Sequence, residues 1–445
     1  DTSPLQARIL EGLAPDGRGL TVVGDELQAI YGFRAASVRN MLDFRRRFAP
    51  EARMLSLSLN YRSVTSVLEL ANALAAEARE SFGRRLVGGR ESAERPWEVP
   101  VADESAQARH VVERVLANRE AGMHLREQAV LVRSAHHTGL LELELARRRI
   151  PYRKYGGLRM LEAAHVKDVL AFLRFAENPR DRMAGFRLLQ LLPGIGPAFA
   201  RRVLDRLEAS GFDPEALALL PPPPAARRLW PELVALLRRL RREPDWPGEL
   251  AAVRAFYEPL LRERYEEAEG RLADLDQLVL AAEASPSRRR FLADLALDPP
   301  IGSGLEAGRP VQDEDYLVLS TIHSAKGREW KAVFVLFVID GWIPSDMATG
   351  SREEIEEERR LLYVAVTRAR DQLHLLVPQR CHVHADPRLG DGYVRAAPSR
   401  FLTARVRACC DRWRPPADPC EETAARADPA VLLDLAARLR DMWKT

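Results

Sequence analysis

The segment at residues 24–34, GDELQAIYGFR, combines side chains that could respond to a bound ligand. It follows the short apolar run LTVV, so it is predicted to begin where a strand ends. Gln28 can both donate and accept hydrogen bonds, so it could bridge a terminal phosphate and a moving loop. Tyr31 and Phe33, followed by Arg34, could stack on a nucleic-acid base beside a backbone contact. The alternative, which a lone aromatic pair favours, is that both rings belong to the core.

Residues 60–63, NYRS, place an aromatic ring beside a guanidinium. Tyr61 could stack on an adenine while Arg62 binds phosphate oxygens with its forked donors. A string of four residues is weak by itself, and the start of a capped helix is the alternative.

Residues 321–330, TIHSAKGREW, follow a run typical of a strand. Small polar side chains at Thr321 and Ser324, followed by a turn at Gly327, would leave backbone N–H groups open to phosphates. A single histidine on a strand, such as His323, is more often a core residue with satisfied hydrogen bonds.

Residues 357–370, EERRLLYVAVTRAR, form the most specific string. An arginine held across a cleft can neutralise charge that develops on a transferred phosphoryl group, and Arg368 is the candidate. The apolar positions would face the core, so Arg368 is expected at the surface of a helix. The alternative is an ordinary amphipathic helix with ion pairs.

A further candidate lies within LPGIGP, ahead of the helical pattern AFARRVLDRL. Glycines in such a turn, Gly194 and Gly196 on either side of Ile195, can bring backbone amides close to a DNA phosphate. A plain glycine-rich connector between helices is the alternative.

The elements that must position these residues alternate between strand and helix patterns, which predicts an α/β protein with a parallel sheet. Between roughly 160 and 305 the strand-like runs vanish, and Ala/Leu/Arg helices alternate with proline breaks. This texture predicts an all-helical domain inserted into one α/β domain. The predicted strands are LTVVGDE, ARMLSLSLN, EQAVLVR, YLVLSTIHS, AVFVLFVI and QLHLLV, and the clearest helices are SVTSVLELANALAAEAR with Ser/Thr caps and EEIEEERRLLYVAVTRARD.

Taken together, the four strings resemble motifs III, IV, V and VI of the UvrD/Rep/PcrA-like superfamily 1 DNA helicases. Ala35, Arg328 and Trp330 depart from the family's usual Gly, Leu and Phe. The resemblance covers about residues 1–403 and implies RecA-like parallel-sheet domains of the P-loop NTPase type with an all-helical insertion. The implied divisions are a remnant of the first RecA-like domain at 1–58, the second RecA-like domain at 59–158 and 309–403, a helical 2B-like insertion at 159–308, and a tail with a helix at 404–445.

The resemblance also implies a role for each candidate residue. It favours base stacking for Phe33 and leaves Tyr31 open. It implies an ATP-dependent helicase or translocase, of 3′-to-5′ polarity, that acts on single-stranded DNA and its junction with a duplex. ATP and Mg²⁺ would be bound. Gln28, Arg62 and Arg368 would sense and polarise the γ-phosphate. Tyr61 would contact the base and Glu329 the ribose, and His323 would touch Gln28. The residues that would contact DNA are Tyr31, Phe33, Arg34, Thr321, His323, Ser324 and Gly194–Gly196.

The sequence contains no GxxxxGK[ST] string to cradle phosphates, and it opens at Asp1-Thr2, in the middle of a family motif. We therefore expect most Mg²⁺ ligands to lie outside these residues, and little ATP hydrolysis by this chain alone. The alternative is a non-catalytic DNA-binding or regulatory module. A helicase–nuclease is less favoured because the tail is short.

The amino-acid composition excludes some classes of protein but does not indicate a function. A formal net charge of +3 is too small to argue for nucleic acid by itself, so that prediction rests on the motifs. No apolar run of about 18 residues occurs, which predicts no membrane span. The 4 cysteines match no zinc spacing, so we predict no metal ligands among them and a reduced, cytoplasmic protein.

Overall fold

The computed structural model describes residues 1–48, 52–92, 94–156, 160–242, 245–265, 268–283, 285–296, 315–382 and 393–413. The strands are β1 (Leu59–Asn60), β2 (Val87–Gly88), β3 (Trp97–Val101), β4 (Gln128–Val132), β5 (Tyr152–Tyr155), β6 (Leu317–Thr321), β7 (Trp330–Val335), β8 (Ala369–Pro378), β9 (Arg380–His382), β10 (Tyr393–Arg395) and β11 (Asp411–Arg412). Seven of them form one parallel sheet in the order β11-β3-β8-β7-β4-β6-β5.

The helices lie between these strands. They are α1 (Pro4–Leu13), α2 (Arg39–Leu42), α3 (Phe44–Arg47), α4 (Thr65–Ala76), α5 (Glu104–Glu120), α6 (Gly139–Arg147), α7 (Ala164–Glu177), α8 (Arg182–Leu189), α9 (Pro197–Ala209), α10 (Glu215–Ala218), α11 (Trp230–Arg242), α12 (Gly248–Arg264), α13 (Ala268–Glu283), α14 (Arg288–Ala296), α15 (Arg352–Val366) and α16 (Ala404–Arg407). Within the described ranges, no helix combines the length and apolar character that crossing a bilayer requires.

The parallel sheet confirms the predicted α/β class. Strand β4 is buried at every position, which is why its sequence, QAVLV, reads as a nearly continuous apolar run. Helices α4 and α15 pack against each other and against β8, and α5 and α6 pack together. The helices thereby bury the apolar faces of the strands.

The sheet combines segments from both sides of the helical stretch. Strand β5 precedes that stretch and β6 follows it, yet they pair in parallel, with Tyr152 opposite Leu317. The described residues between 160 and 296 hold no strand, and helices α7–α14 surround a second hydrophobic core that includes Phe172, Leu204 and Tyr257. Each part therefore buries its own apolar surface, which is the main force that stabilises it.

Several local predictions are wrong. Residues 20–25 form no strand, and Val22 and Val23 are exposed, because no strand of the described chain pairs with them. The run ARMLSLSLN yields only the two residues of β1. Helix α4 begins after Val64 without a side-chain cap. The tail helix expected beyond residue 413 lies outside the described residues.

Candidate functional site

The segment at residues 24–34 is attached to the rest of the chain by buried side chains rather than by strand pairing. Leu27 and Ile30 lie in the core of the sheet domain. The carbonyl of Ala29 accepts a hydrogen bond from Arg360 Nε at 2.7 Å, and the amide of Gly32 donates to Glu357 Oε1 at 2.8 Å. Both partners belong to α15, so this segment is fastened to that helix.

Gln28 and Arg368 are in contact. Arg368 Nη2 donates to Gln28 Oε1 at 3.3 Å, and Gln28 Nε2 donates to Asp25 Oδ2 at 2.8 Å. The two residues are 340 positions apart in sequence. The structure therefore brings together two of the predicted phosphate-sensing side chains.

Arg368 does not lie at the surface of a helix, as the sequence predicted. Helix α15 ends at Val366, and Arg368 sits just beyond it, 1% exposed. Its guanidinium also donates to the carbonyls of Val364 and Arg328 and to Thr367 Oγ1, each at 3.1 Å. Burial, followed by repulsion from Arg62, lowers the pKa of Arg368 to about 10, so the group stays charged at neutral pH.

Arg62 lies beside Arg368 but is more open. Its Nε forms an ion pair with Glu329 Oε2, and its Nη1 donates to the carbonyl of Thr367 at 3.4 Å. Glu329 also pairs with Arg370 Nη1 at 3.4 Å. Glu329 and Arg368 directly precede β7 and β8, so this cationic cluster lies at the amino edge of those two strands.

Tyr61 is 77% exposed beside Arg62. The turn that presents both residues is fixed by Asn60 Oδ1, which accepts from the amides of Arg62 at 2.9 Å and Ser63 at 3.0 Å. Ser63 Oγ in turn donates to the carbonyl of Ala369 at 2.6 Å. The NYRS string is therefore a turn tied to β8, not the capped start of α4.

The aromatic rings of Tyr31, Phe33 and His323 lie together near Gln28. Phe33 is 68% exposed, which rules out the core interpretation for it, and its ring packs edge-on against His323 at 5.3 Å. Tyr31 is half-buried, and its hydroxyl donates to the carbonyl of His323 at 3.0 Å. Lys326 Nζ lies 5.3 Å from the centre of the Tyr31 ring. A contact between His323 and Gln28 stays a prediction, and the side chain of Arg34 lies outside the described residues.

Thr321 and Ser324 form a tight polar turn at the carboxyl end of β6. Thr321 Oγ1 lies 3.0 Å from Ser324 Oγ and accepts from its amide at 3.3 Å. Gly156 packs directly on this turn with φ +89°, and a Cβ there would come within 2.5 Å of Thr321 Oγ1. A side chain at position 156 would therefore displace the turn; the neighbouring Gly157 lies outside the described residues.

The predicted glycine turn, Gly194–Gly196, lies between α8 and α9 in the helical part. Gly194 has φ +74°, Ile195 is buried, and Gly196 caps the amino end of α9. No atom lies within 4 Å of where a Cβ of Gly196 would be. Gly196 and Ala198 are exposed, so the amide end of α9 is open to approach. The turn packs on the core of the helical part through Ile195, not on the core of the sheet.

Two contacting residues were missed by the sequence reasoning. Lys326 Nζ donates to the carbonyl of Gln28 at 2.7 Å, although the string that contains it gave no reason to assign it a role. Arg84 Nη2 pairs with Asp25 Oδ2 at 2.6 Å and lies outside every string, so no sequence signal could have found it. Among the described residues, no group of three or more His, Cys, Asp or Glu side chains is placed to hold a metal ion.

The chain is similar to known proteins along most of its length. Residues 55–213 and 262–380 match the UvrD-like helicase C-terminal domain, and residues 1–49 match the UvrD/REP helicase N-terminal domain. DNA helicase II of Escherichia coli (strain K12) is 32% identical over 435 residues, covering 93% of this chain and 59% of that protein. The ATP-dependent DNA helicase PcrA of Staphylococcus aureus (strain Mu50) is 27% identical over 422 residues, covering 90% and 56%. The chain therefore spans less than three-fifths of the length of these relatives.

Proposed function

The chain belongs to the UvrD-like helicase family, and from this premise we propose that it forms the nucleotide-sensing and DNA-stepping part of an ATP-dependent DNA helicase. The observation that carries the proposal is the hydrogen bond between Arg368 and Gln28. It joins the segment at residues 24–34 to the end of α15 at the place where Arg62 also lies. A ligand that competes for either side chain would change how these two parts of the molecule are held together.

The cationic cluster suits the phosphates of ATP. Arg62 and Arg370 pair with Glu329, and Arg368 lies near the carboxylates of Asp25 and Glu329, so three arginines face two carboxylates. A phosphate oxygen would compete with the neutral Gln28 for Arg368, since a charged acceptor forms the stronger hydrogen bond, and with the carboxylate of Glu329 for Arg62. Tyr61, with its exposed ring, would stack on the base.

Mg²⁺ would neutralise phosphate oxygens when bound. We place none of its ligands among Arg62, Arg368 and Arg370, because a guanidinium cannot bind a cation. Within the chain, Arg368 would stabilise negative charge on the terminal phosphoryl group. Gln28 would change its hydrogen bonds when that phosphoryl group is bound.

Single-stranded DNA would pass over the exposed aromatic rings. Phe33 offers a stacking surface, and Thr321, His323 and Ser324 would lie along the DNA backbone. Tyr31 hydrogen-bonds to the carbonyl of His323, so a movement of residues 24–34 would be transmitted to the turn that follows β6. We propose that this coupling produces stepping, with 3′-to-5′ polarity.

The helical part would steer the duplex. We propose that residues 59–158 and 309–403 form one RecA-like domain, to which β11 beyond residue 403 adds an edge strand, and that residues 159–308 form an insertion that departs from it. The pairing of β5 with β6 supports this division. The open amide end of α9 at Gly196 would then contact a phosphate of the duplex at its junction with the single strand.

Phosphate release with poly(dT) tests the proposal. Residues 1–445 contain no GxxxxGK[ST] string, so we expect negligible hydrolysis by this chain alone but binding to a labelled single-stranded oligonucleotide. The native protein that contains these residues should show DNA-stimulated hydrolysis and should unwind duplexes with a 3′ tail in preference to a 5′ tail. DNA-stimulated turnover by the chain alone, or failure to bind single strands, would contradict the proposal.

A further inference from the structure

The carboxylate of Asp25 joins two side chains that are distant in sequence. Its Oδ2 accepts from Arg84 Nη2 at 2.6 Å and from Gln28 Nε2 at 2.8 Å, while its Oδ1 accepts from the amide of Leu27 at 3.1 Å. The side chains of Arg84 and Asp25 are only 19% and 16% exposed. Three donors, shielded from most of the solvent, thus hold the carboxylate in one orientation.

That orientation decides which way the Gln28 amide faces. A carboxylate only accepts hydrogen bonds, so Gln28 must turn its NH₂ group toward Asp25 and its carbonyl oxygen away from it. The carbonyl oxygen, Oε1, is the atom that accepts from Arg368 Nη2. A continuous series of hydrogen bonds therefore runs from Arg84 through Asp25 and Gln28 to Arg368.

We infer that Arg84 is a positioning residue for Gln28: it fixes Asp25, and Asp25 fixes the face that Gln28 presents to Arg368 and to an incoming phosphate. The inference rests on the proposed function, in which Gln28 responds to the terminal phosphate of ATP. Without Arg84 the Asp25 carboxylate would lose its cation and could rotate. The side-chain amide of Gln28 would then lose its preferred orientation, although Gln28 itself is unchanged.

Arg84 also has contacts that suit it to this task. Burial by itself lowers the pKa of the Arg84 guanidinium, but the nearby Asp25 carboxylate more than offsets this, and the pKa is raised. Arg84 also lies near the hydroxyl of Tyr363 in α15 and reaches the carbonyl of Leu57 at 3.5 Å. Its charge is therefore permanent, and its position depends on α15, the helix that precedes Arg368.

A second arginine–carboxylate pair, in nearby parts of the chain, provides a control. Arg39 Nη2 pairs with Glu80 Oε2 at 2.7 Å, with both side chains 52% exposed. This pair also links the early part of the chain to the segment after α4, but it does not include Asp25 or Gln28. Arg39→Ala therefore removes a more exposed arginine–carboxylate pair and leaves the hydrogen bonds from Arg84 to Arg368 in place.

The first experiment follows the side-chain amide signals of Gln28 by NMR in the 445-residue chain labelled with ¹⁵N-glutamine, with Gln28→Ala identifying the signals. Arg84→Ala should shift or broaden them, Arg84→Lys should largely preserve them, and Arg39→Ala should leave them unchanged. If Arg84→Ala does not fold, Arg84→Gln, which keeps the length of the side chain without its charge, takes its place. Unchanged Gln28 signals in the variant without the charge would overturn the inference.

The second experiment is a double-mutant cycle on ATP turnover in the native protein that contains residues 1–445. Arg84→Ala should lower kcat about tenfold with little change in KM, as expected of a residue that modulates coupling. The double variant with Gln28→Ala should be no slower than Gln28→Ala alone, because Arg84 acts through Gln28. Additive losses would overturn the inference and leave the proposed function intact, whereas a Gln28→Ala variant with normal turnover would instead contradict the proposed function.

Discussion

The cluster formed by the buried Arg368 with the half-buried Asp25 and Gln28 differs from the exposed rings of Tyr61 and Phe33 in what a ligand must do to engage it. Arg368 is 1% exposed and its donors are already bonded to protein acceptors. Tyr61 and Phe33 are 77% and 68% exposed. A ligand can engage the exposed rings by adding contacts, but it can engage Arg368 only by replacing contacts that already exist.

This difference suits a molecule that couples two ligands. A buried group that must exchange partners changes the structure around it, because an unpaired buried donor or acceptor costs free energy. An exposed ring can add contacts without such a change, so in the proposed function Phe33 would stay on the DNA while the contacts of Arg368 exchange. Arg62 lies between the two extremes, since its side chain is 32% exposed and pairs with a carboxylate that is 40% exposed.

The largest expected effect is that of Arg368→Ala. In the native protein it should lower ATP turnover by about 10³-fold or more while ATP binding is retained, as for other arginines that stabilise phosphoryl transfer. It should also lower the free energy of unfolding by about 1–3 kcal/mol, because buried acceptors lose their donor. Steady-state kinetics and urea denaturation measure the two effects, with Arg400→Ala, which removes an ion pair to Asp340, as control. Normal turnover in Arg368→Ala would remove it from the proposed role.

Arg62→Ala should separate activity from stability. Loss of a charge-assisted contact to phosphate should lower turnover by about 10²-fold. Because Arg62 and Glu329 are partly exposed, the free energy of unfolding should fall by less than about 1 kcal/mol. The same two measurements apply. Equal losses of stability in Arg62→Ala and Arg368→Ala would refute the distinction between a buried and an open arginine.

The sequence indicated which segments come into contact better than it indicated the burial and geometry of their side chains. Hydrogen bonds and ion pairs connect the four strings: Arg368 and Lys326 both donate to Gln28, and Arg62 pairs with Glu329. The roles of the individual residues stay predictions. The burial of Arg368 was not predictable, because helical periodicity does not reveal that α15 ends at Val366. Two residues beyond that end, Arg368 no longer follows the helix and turns into the protein.

Other features could not be predicted because they depend on partners distant in sequence. Val22 and Val23 have the residue types of a strand, but strand formation needs a neighbour to accept the backbone hydrogen bonds, and the described residues provide none there. Arg84 lies in a segment without a recognisable pattern, and only the folded chain brings it to Asp25.

Phe33→Ala tests the exposed side of the comparison. It should weaken binding of single-stranded DNA to this chain by about 1–3 kcal/mol if the ring stacks on a base. Because the ring is exposed, the free energy of unfolding should change by less than about 0.5 kcal/mol. Fluorescence anisotropy with a labelled oligo(dT) measures the affinity, and Leu219→Ala, an exposed apolar side chain in the helical part, serves as control. An unaltered DNA affinity would show that the exposed ring does not contact a base.

The smallest expected effect is that of Gly196→Ala, which extends the comparison to the helical part. Gly196 has φ −88°, a value that alanine accepts, and no atom lies within 4 Å of the added methyl group, so the fold should be unaffected. The methyl group would hinder a phosphate from reaching the amide end of α9. We expect binding of a hairpin duplex to weaken by about threefold, the loss of roughly one hydrogen bond, with single-strand binding unchanged. Gly270→Ala in α13, where a Cβ also meets nothing within 4 Å, is the matched control. If the two glycine variants bind the duplex equally well, the turn is a connector, and DNA contacts are confined to the exposed rings and the turn after β6.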